Sequence, residues 1–226
     1  MTENKINFDE ITAEQVGKSL RTEFFLLSQA ISENIRNIPD EIILNLFKII
    51  EKADEIYIHG AGRSGNVGRS FATRLMHLGY KVHVVGEPTT TAMKPSDSYF
   101  IISGSGDTPS IANSAEAMRR DINPIIVTLT MNPAKGRVSK VADLVIHIRG
   151  KEIVNGKISE LNNKSENDEP IDWAIRQLLD KFDVFAPLNT VFEDTAIIFL
   201  DTVIDTLAKY KEITEDDMKK RHTRTE

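Results

Sequence analysis

A chain of 226 residues, 40% hydrophobic and 27% charged, has the balance of an ordinary globular protein and is long enough to bury one sizeable core. Its net charge of -6 argues against a general nucleic-acid binder, although one local Arg or a helix end would still hold a small anion. The absence of Cys excludes disulfides, thiolate catalysis and Cys-ligated metals, and a polar N-terminus with no apolar run of spanning length points away from membranes and to the cytoplasm.

In chain order, two helices come first. Residues 12–35 carry Leu20, Phe24, Leu27 and Ile31 at helical spacing, and after Pro39 residues 40–52 carry Ile42, Leu46 and Ile49. Five Val- and Ile-rich runs follow: EIYIHG (55–60), KVHVVGE (81–87), SYFIISG (98–104), PIIVTLT (124–130) and LVIHIRG (144–150). Such near-continuous apolar runs are how parallel strands buried on both faces read. Residues 64–79, 110–121 and 134–141 read as helices, and 88–97 as a Pro/Thr loop. The alternation predicts right-handed crossovers and an α/β fold, a doubly wound five-stranded parallel sheet flanked by helices, with helical N- and C-terminal additions. Beyond the sheet, residues 155–170 are polar and turn-rich, an expected mobile excursion, and a helix is expected around 171–181. From about 190 to 211 a further helix is apolar on a wide face (Phe192, Ala196, Phe199, Leu200, Val203, Ile204, Leu207), which covers either this chain's own sheet or another subunit. The whole reads as a single domain, 1–226, with its core at about 40–210 and a charged tail at 212–226.

The first strand runs into Gly60-Ala61-Gly62-Arg63-Ser64-Gly65, literally GxGxxG. A Gly-rich turn from strand to helix presents free N–H groups and a helix's positive end to an anion. A dinucleotide site would fit the pattern, with Glu87 near the ribose-binding position, but Arg63 crowds the turn and no room remains for a separate substrate domain. A second loop, Ser103-Gly104-Ser105-Gly106-Asp107-Thr108, follows the third strand. In the strand order 2-1-3-4-5 the two loops face each other at the topological switch point, and hydroxyls with backbone N–H groups on both sides suit one compact phosphate monoester. If both are merely tight turns, neither binds anything.

The stretches GAGRSGNVGRSFATRLMHLGYKVHVVGE, ISGSGDT and APLNTVFEDTAIIFLD together resemble the sugar isomerase (SIS) family over about residues 40 to 210, in particular its 6-phospho-3-hexuloisomerase branch. The resemblance implies a SIS domain catalysing cofactor-free, aldose–ketose-type isomerisation of a phosphorylated sugar, D-arabino-hex-3-ulose 6-phosphate to and from fructose 6-phosphate. It also implies a homo-oligomer, typically a tetramer, with sites near subunit interfaces. Asn189 stands where the family usually has Gly, Asp107 where Glu is more usual, residues 155–167 look inserted, and the tail after His222 differs.

Moving a carbonyl from C3 to C2 needs one carboxylate to take a proton from C2 and return it to C3 through an enediol(ate). Glu193 is the expected base. By pattern alone Thr190-Val-Phe-Glu193 is a capping box, in which Glu193 bonds back to the helix start; the matching family residue is the proton acceptor, which turns the reading to catalysis. His222 is either inert in the tail or a general acid in a neighbouring subunit's site. Expected phosphate and substrate contacts are Gly62, Arg63, Ser64, Ser103, Gly104, Ser105, Gly106, Asp107 and Thr108, with sugar contacts at Glu87 and Thr90. Arg63 is placed to stabilise enediolate charge. No ligand spacing for a metal is seen, and the expected cofactor is none. An isomerase of a pentose or heptose phosphate and a non-catalytic sugar-phosphate sensor are the rival readings.

Overall fold

Strands β1 (Ile56–Gly60), β2 (Val82–Val84), β3 (Ser98–Ile102), β4 (Ile125–Thr130) and β5 (Leu144–His147) are all parallel, as the alternation of elements predicts, and assemble in the order β2-β1-β3-β4-β5, the common doubly wound order supposed above. The computed structural model describes residues 11–153, 186 and 188–222; the excursion expected at 155–167 and the helix expected at 171–181 lie outside them.

Side chains alternate across these strands, and both faces are covered. On one side Ile56, Ile58, Phe100, Ile102, Val127 and Leu129 meet α2 (Asp40–Lys52), α3 (Gly62–Leu78) and α6 (Thr190–Tyr210). On the other, Tyr57, Tyr99, Ile101 and Ile126 meet α4 (Pro109–Asp121) and the short α5 (Arg137–Val141). Two-sided burial is the physical cause of the unbroken apolar runs.

The wide apolar face of α6 covers this chain's own sheet: Phe192, Ala196, Phe199, Leu200, Val203, Ile204 and Leu207 are all buried there. The first helix, α1 (Ala13–Arg36), departs from its pattern. Leu26 and Ala30 face inward, while Leu20 and Phe24 are 66% and 70% exposed, because α1 rests on the start of α6 through Val191 rather than on the sheet. Two elements end earlier, and one begins later, than their sequence runs suggest. Past β2 the chain turns, with Glu87 N–H donating to Val84 O. Past β5, Arg149 pairs through its backbone with the side-chain amide of buried Asn34, at 2.8 and 3.1 Å, in place of a strand. The helix expected from 134 begins only at Arg137.

The charged tail contains α7 (Glu215–Arg221), started by a Thr214–Asp217 capping box. Ile213 and Met218 pack on the core, and Arg221 donates to His77 O at 3.0 Å, satisfying a carbonyl at the end of α3. Among the described residues, no helix is long and apolar enough to cross a membrane.

At the carboxyl end of the sheet Gly60 is in register with Ile102, so the two glycine loops leave from adjacent strand ends. The first turn of α3 lies directly on β1: a Cβ on Gly65 would come within 2.7 Å of Gly60 O, and one on Gly60 within 3.0 Å of Ile102 O. Both obstacles are backbone and cannot rotate away. Gly65→Ala is expected to cost about 1–3 kcal/mol of overpacking strain, read as a lowered urea midpoint at unchanged slope; an unchanged midpoint would mean that α3 shifts without cost.

Candidate active site

Glu193 is only 7% exposed, in the first turn of α6, with its N–H donating to Asn189 O at 2.9 Å. Its carboxylate is held from across the cleft. Arg63 Nε donates to Oε2 at 2.5 Å and Ser64 Oγ donates to Oε1 at 3.4 Å. A carboxylate this buried needs such partners, and a charge-assisted bond to a guanidinium is among the strongest available. The capping box is not formed: the N-cap is Asn189, Thr190 is already helical, and Glu193 reaches α3 instead of its own helix start.

Arg63 also lies 3.6 Å from Asp194 through Nη2, and its side chain stays 60% exposed. Nε and Nη2 form one edge of the guanidinium fork, so both carboxylates lie along that edge and the outer donors face the solvent. Asp194 was not among the residues singled out from sequence; the signal was its place beside Glu193, on the helix turn that faces the Arg.

The second loop is built partly as scaffold and partly as an open surface. Buried Ser103 accepts from Gly106 N–H at 3.2 Å, and Gly104 O accepts from Met131 N–H at 3.0 Å. Asp107 Oδ1 accepts from Arg137 N–H at 2.9 Å, which ties the loop to α5. Ser105 is exposed and Thr108 half-buried, with their hydroxyls 3.4 Å apart. Thr108 is the N-cap of α4 but makes no side-chain cap bond, so the first-turn N–H groups are not taken by it. Gly104 borders α6: a Cβ there would lie 3.1 Å from Asn189 Nδ2 and 3.2 Å from Phe192 Cδ1.

The structure therefore brings Gly62, Arg63 and Ser64 together with Glu193, and sets the loop from Ser103 to Thr108 against the same helix start. Glu87 and Thr90 sit to one side. Glu87 faces Arg69 at 3.4 Å, and Thr90 donates its hydroxyl to Val84 O at 2.7 Å. His222 is stacked on His77 with ring centroids 5.0 Å apart. Fourteen helical residues separate His77 from Arg63, roughly 20 Å at 1.5 Å per residue, so His222 does not meet Glu193 of its own chain.

The other histidines hold the fold. His83 meets Glu55 at 2.6 Å, and His59 Nδ1 is 2.5 Å from Tyr99 Oη, which in turn meets Ser114 Oγ at 2.9 Å. Burial pushes the Tyr99 hydroxyl up to about 12 and lowers His59 below the ordinary histidine value of 6.5. His77 and His147 are likewise lowered, chiefly by burial. Among the described residues, no group of three His, Asp or Glu side chains is arranged to hold a metal ion.

A His kept neutral in the fold stabilises it above the unfolded value of 6.5, and that contribution is lost as pH falls through 6.5 toward the depressed folded value. His59→Gln keeps a hydrogen-bonding amide opposite the Tyr99 hydroxyl but binds no proton. Its unfolding free energy is expected to fall less steeply than that of wild type between pH 7 and pH 5, by urea titration. Parallel slopes would show that His59 is not held neutral.

Residues 49–162 match the model of the SIS domain family. A protein of Archaeoglobus fulgidus, described as uncharacterized, is 37% identical over 86% of this chain and 95% of its own length. The 3-hexulose-6-phosphate isomerase of Methanocaldococcus jannaschii is 36% identical over 79% of this chain and 81% of its own. A crystal structure of a hypothetical protein from Methanococcus jannaschii, reported to infer a molecular function of 3-hexulose-6-phosphate isomerase, superposes with a TM-score of 0.69 at 32% identity, covering 90% of this chain and 99% of that one. With the parallel sheet, the paired glycine loops and these relatives in hand, the chain belongs to the SIS domain family and is an isomerase.

Proposed function

We propose that this isomerase acts on a sugar phosphate, interconverting D-arabino-hex-3-ulose 6-phosphate and fructose 6-phosphate. The observation that carries the reading is the buried Glu193 carboxylate, held by Arg63 beside the Ser/Gly loop, in a chain 36% identical to a 3-hexulose-6-phosphate isomerase. The phosphate rests on Ser105, Thr108 and the N-terminal end of α4, where hydroxyls and the helix dipole both favour an anion. Glu193 takes the proton from C2 and delivers it to C3, and charge passes to the sugar oxygens during the enediolate stage. The outward donors of Arg63 are placed to stabilise that charge. A proton must also pass from the C2 hydroxyl to the C3 oxygen, and His222 of a neighbouring copy is the candidate carrier.

A homo-oligomer, expected as a tetramer in the cytoplasm, is part of the proposal. The exposed apolar side chains Val16, Leu20 and Phe24, at four-residue spacing on α1, with Ile198 on α6, supply a surface that a second copy would cover. Deletion of residues 214–226 would remove His222 together with α7, so turnover is better compared in His222→Ala.

Incubation in deuterated water with hexulose 6-phosphate, ribulose 5-phosphate and arabinose 5-phosphate is expected to place deuterium in the hexulose product alone. Incorporation only into a pentose phosphate would overturn the substrate, and none at all would favour a sensor. Glu193→Gln is expected to lose about 10²–10⁴-fold in exchange, the worth of a positioned acid–base group, and unchanged exchange would remove Glu193 as the base. Ser105→Ala is expected to weaken sugar-phosphate affinity roughly 10- to 100-fold, as for a lost hydrogen bond to a charged group, with the melting temperature kept. Unaltered affinity would show that this loop is not the phosphate cradle.

A further inference from the structure

Asn189 occupies the N-cap of α6, where an Asn side chain ordinarily accepts from the first-turn N–H groups, yet it makes no capping bond. The cause is local. Capping residues hold an extended backbone, whereas Asn189 lies at φ -102° and ψ 21°, which carries its side chain away from those N–H groups. The amide rests on Gly104 instead, with Nδ2 3.1 Å from where a Cβ of residue 104 would be, so the bare backbone of the Ser/Gly loop is what admits it. Asn189 is half-buried, and among the described residues its side-chain amide takes up no hydrogen bond.

Its position is one helical turn before Glu193, whose N–H donates to Asn189 O, and directly beside the loop that carries Ser105 and Thr108. An amide without a hydrogen-bond partner among the described residues thus lies between the buried carboxylate and the proposed phosphate-binding surface. It carries both donors and an acceptor. A phosphate oxygen engages only the donors, whereas a sugar hydroxyl, itself donor and acceptor, engages both.

We infer that Asn189 is a specificity-determining contact to a hydroxyl on the carbons that link the substrate's phosphate to its reacting pair. This rests on the sugar-phosphate reading above. In fructose 6-phosphate those linking carbons are C4 and C5, so the contact distinguishes polyhydroxylated phosphates from a bare phosphoryl group.

The test is calorimetric binding of fructose 6-phosphate, its 4-deoxy and 5-deoxy analogues, and inorganic phosphate to wild type, Asn189→Gly and Asn189→Ser, with melting temperatures alongside. Asn189→Gly is expected to bind fructose 6-phosphate roughly three- to tenfold more weakly, the worth of one neutral hydrogen bond. Inorganic phosphate affinity and melting temperature should stay unchanged, and one deoxy analogue should bind wild type and Asn189→Gly equally. Equal binding of fructose 6-phosphate by wild type and Asn189→Gly overturns the inference while leaving the function intact. So does an equal loss for inorganic phosphate, or a drop in melting temperature and affinity that Asn189→Ser restores, which would mark a helix cap. Wild type that binds no sugar phosphate overturns the function itself.

Discussion

A carboxylate taken out of water must be met by a charge or by several donors, and in this molecule the charge comes from the far side of the chain. Glu193 belongs to α6, near the end of the described fold, while Arg63 belongs to the turn after the first strand. Their 2.5 Å contact fastens the late helix to the β1–α3 turn and sets the site at the carboxyl edge of the sheet. Were the pair absent, α6 would still cover the sheet through Phe192, Phe199 and Val203, but its first turn would hold a buried, uncompensated charge. The same contact therefore serves as a tertiary tie and as the local electrostatic frame of the proposed chemistry.

That frame exists only because the backbone comes close at two points. Gly60 and Gly65 let α3 begin directly on the end of β1, which puts Arg63 within reach of α6. Gly104 does the equivalent for the second loop, bringing it against Asn189 and Phe192. The glycines read at first as a dinucleotide fingerprint are thus explained by packing and by the path of the chain. The guanidinium, which crowds the turn for a pyrophosphate, is what the turn presents to α6.

The sheet was legible because two-sided burial leaves a strong mark: runs such as SYFIISG and PIIVTLT have few other ways to be satisfied. Connection rules give right-handed crossovers but not the strand order, which rests on the common doubly wound arrangement, and the meeting of the two loops followed from that choice. The first helix was less legible. Its spacing locates a stripe through Leu20 and Phe24, but periodicity cannot say what a stripe faces, and α1 lies on α6 rather than on the sheet. Thr190-Val-Phe-Glu193 carries a true capping signature, and the local bond lost to a long-range one because Arg63 offers a full charge where the helix start offers a partial one. The end of the chain gave only charge, without showing that Ile213 and Met218 would anchor a helix on α3.

The distribution of charge also divides the labour within the site. Arg63 carries one positive charge and lies beside two carboxylates, Glu193 and Asp194, so this corner is net negative before any ligand arrives. A phosphate bearing nearly two negative charges gains little there. The loop at α4 also carries one carboxylate, Asp107, bonded to Arg137 N–H, but it adds the hydroxyls of Ser105 and Thr108 and the positive end of α4. In the function proposed, the hydroxyls and the helix end at the α4 loop take the anionic end of a phosphorylated ligand, and its uncharged carbons fall toward Glu193 and Asp194. On that proposal Glu193 faces carbon-bound hydrogen rather than phosphate oxygen, and the guanidinium beside it meets the negative charge that the enediolate stage creates.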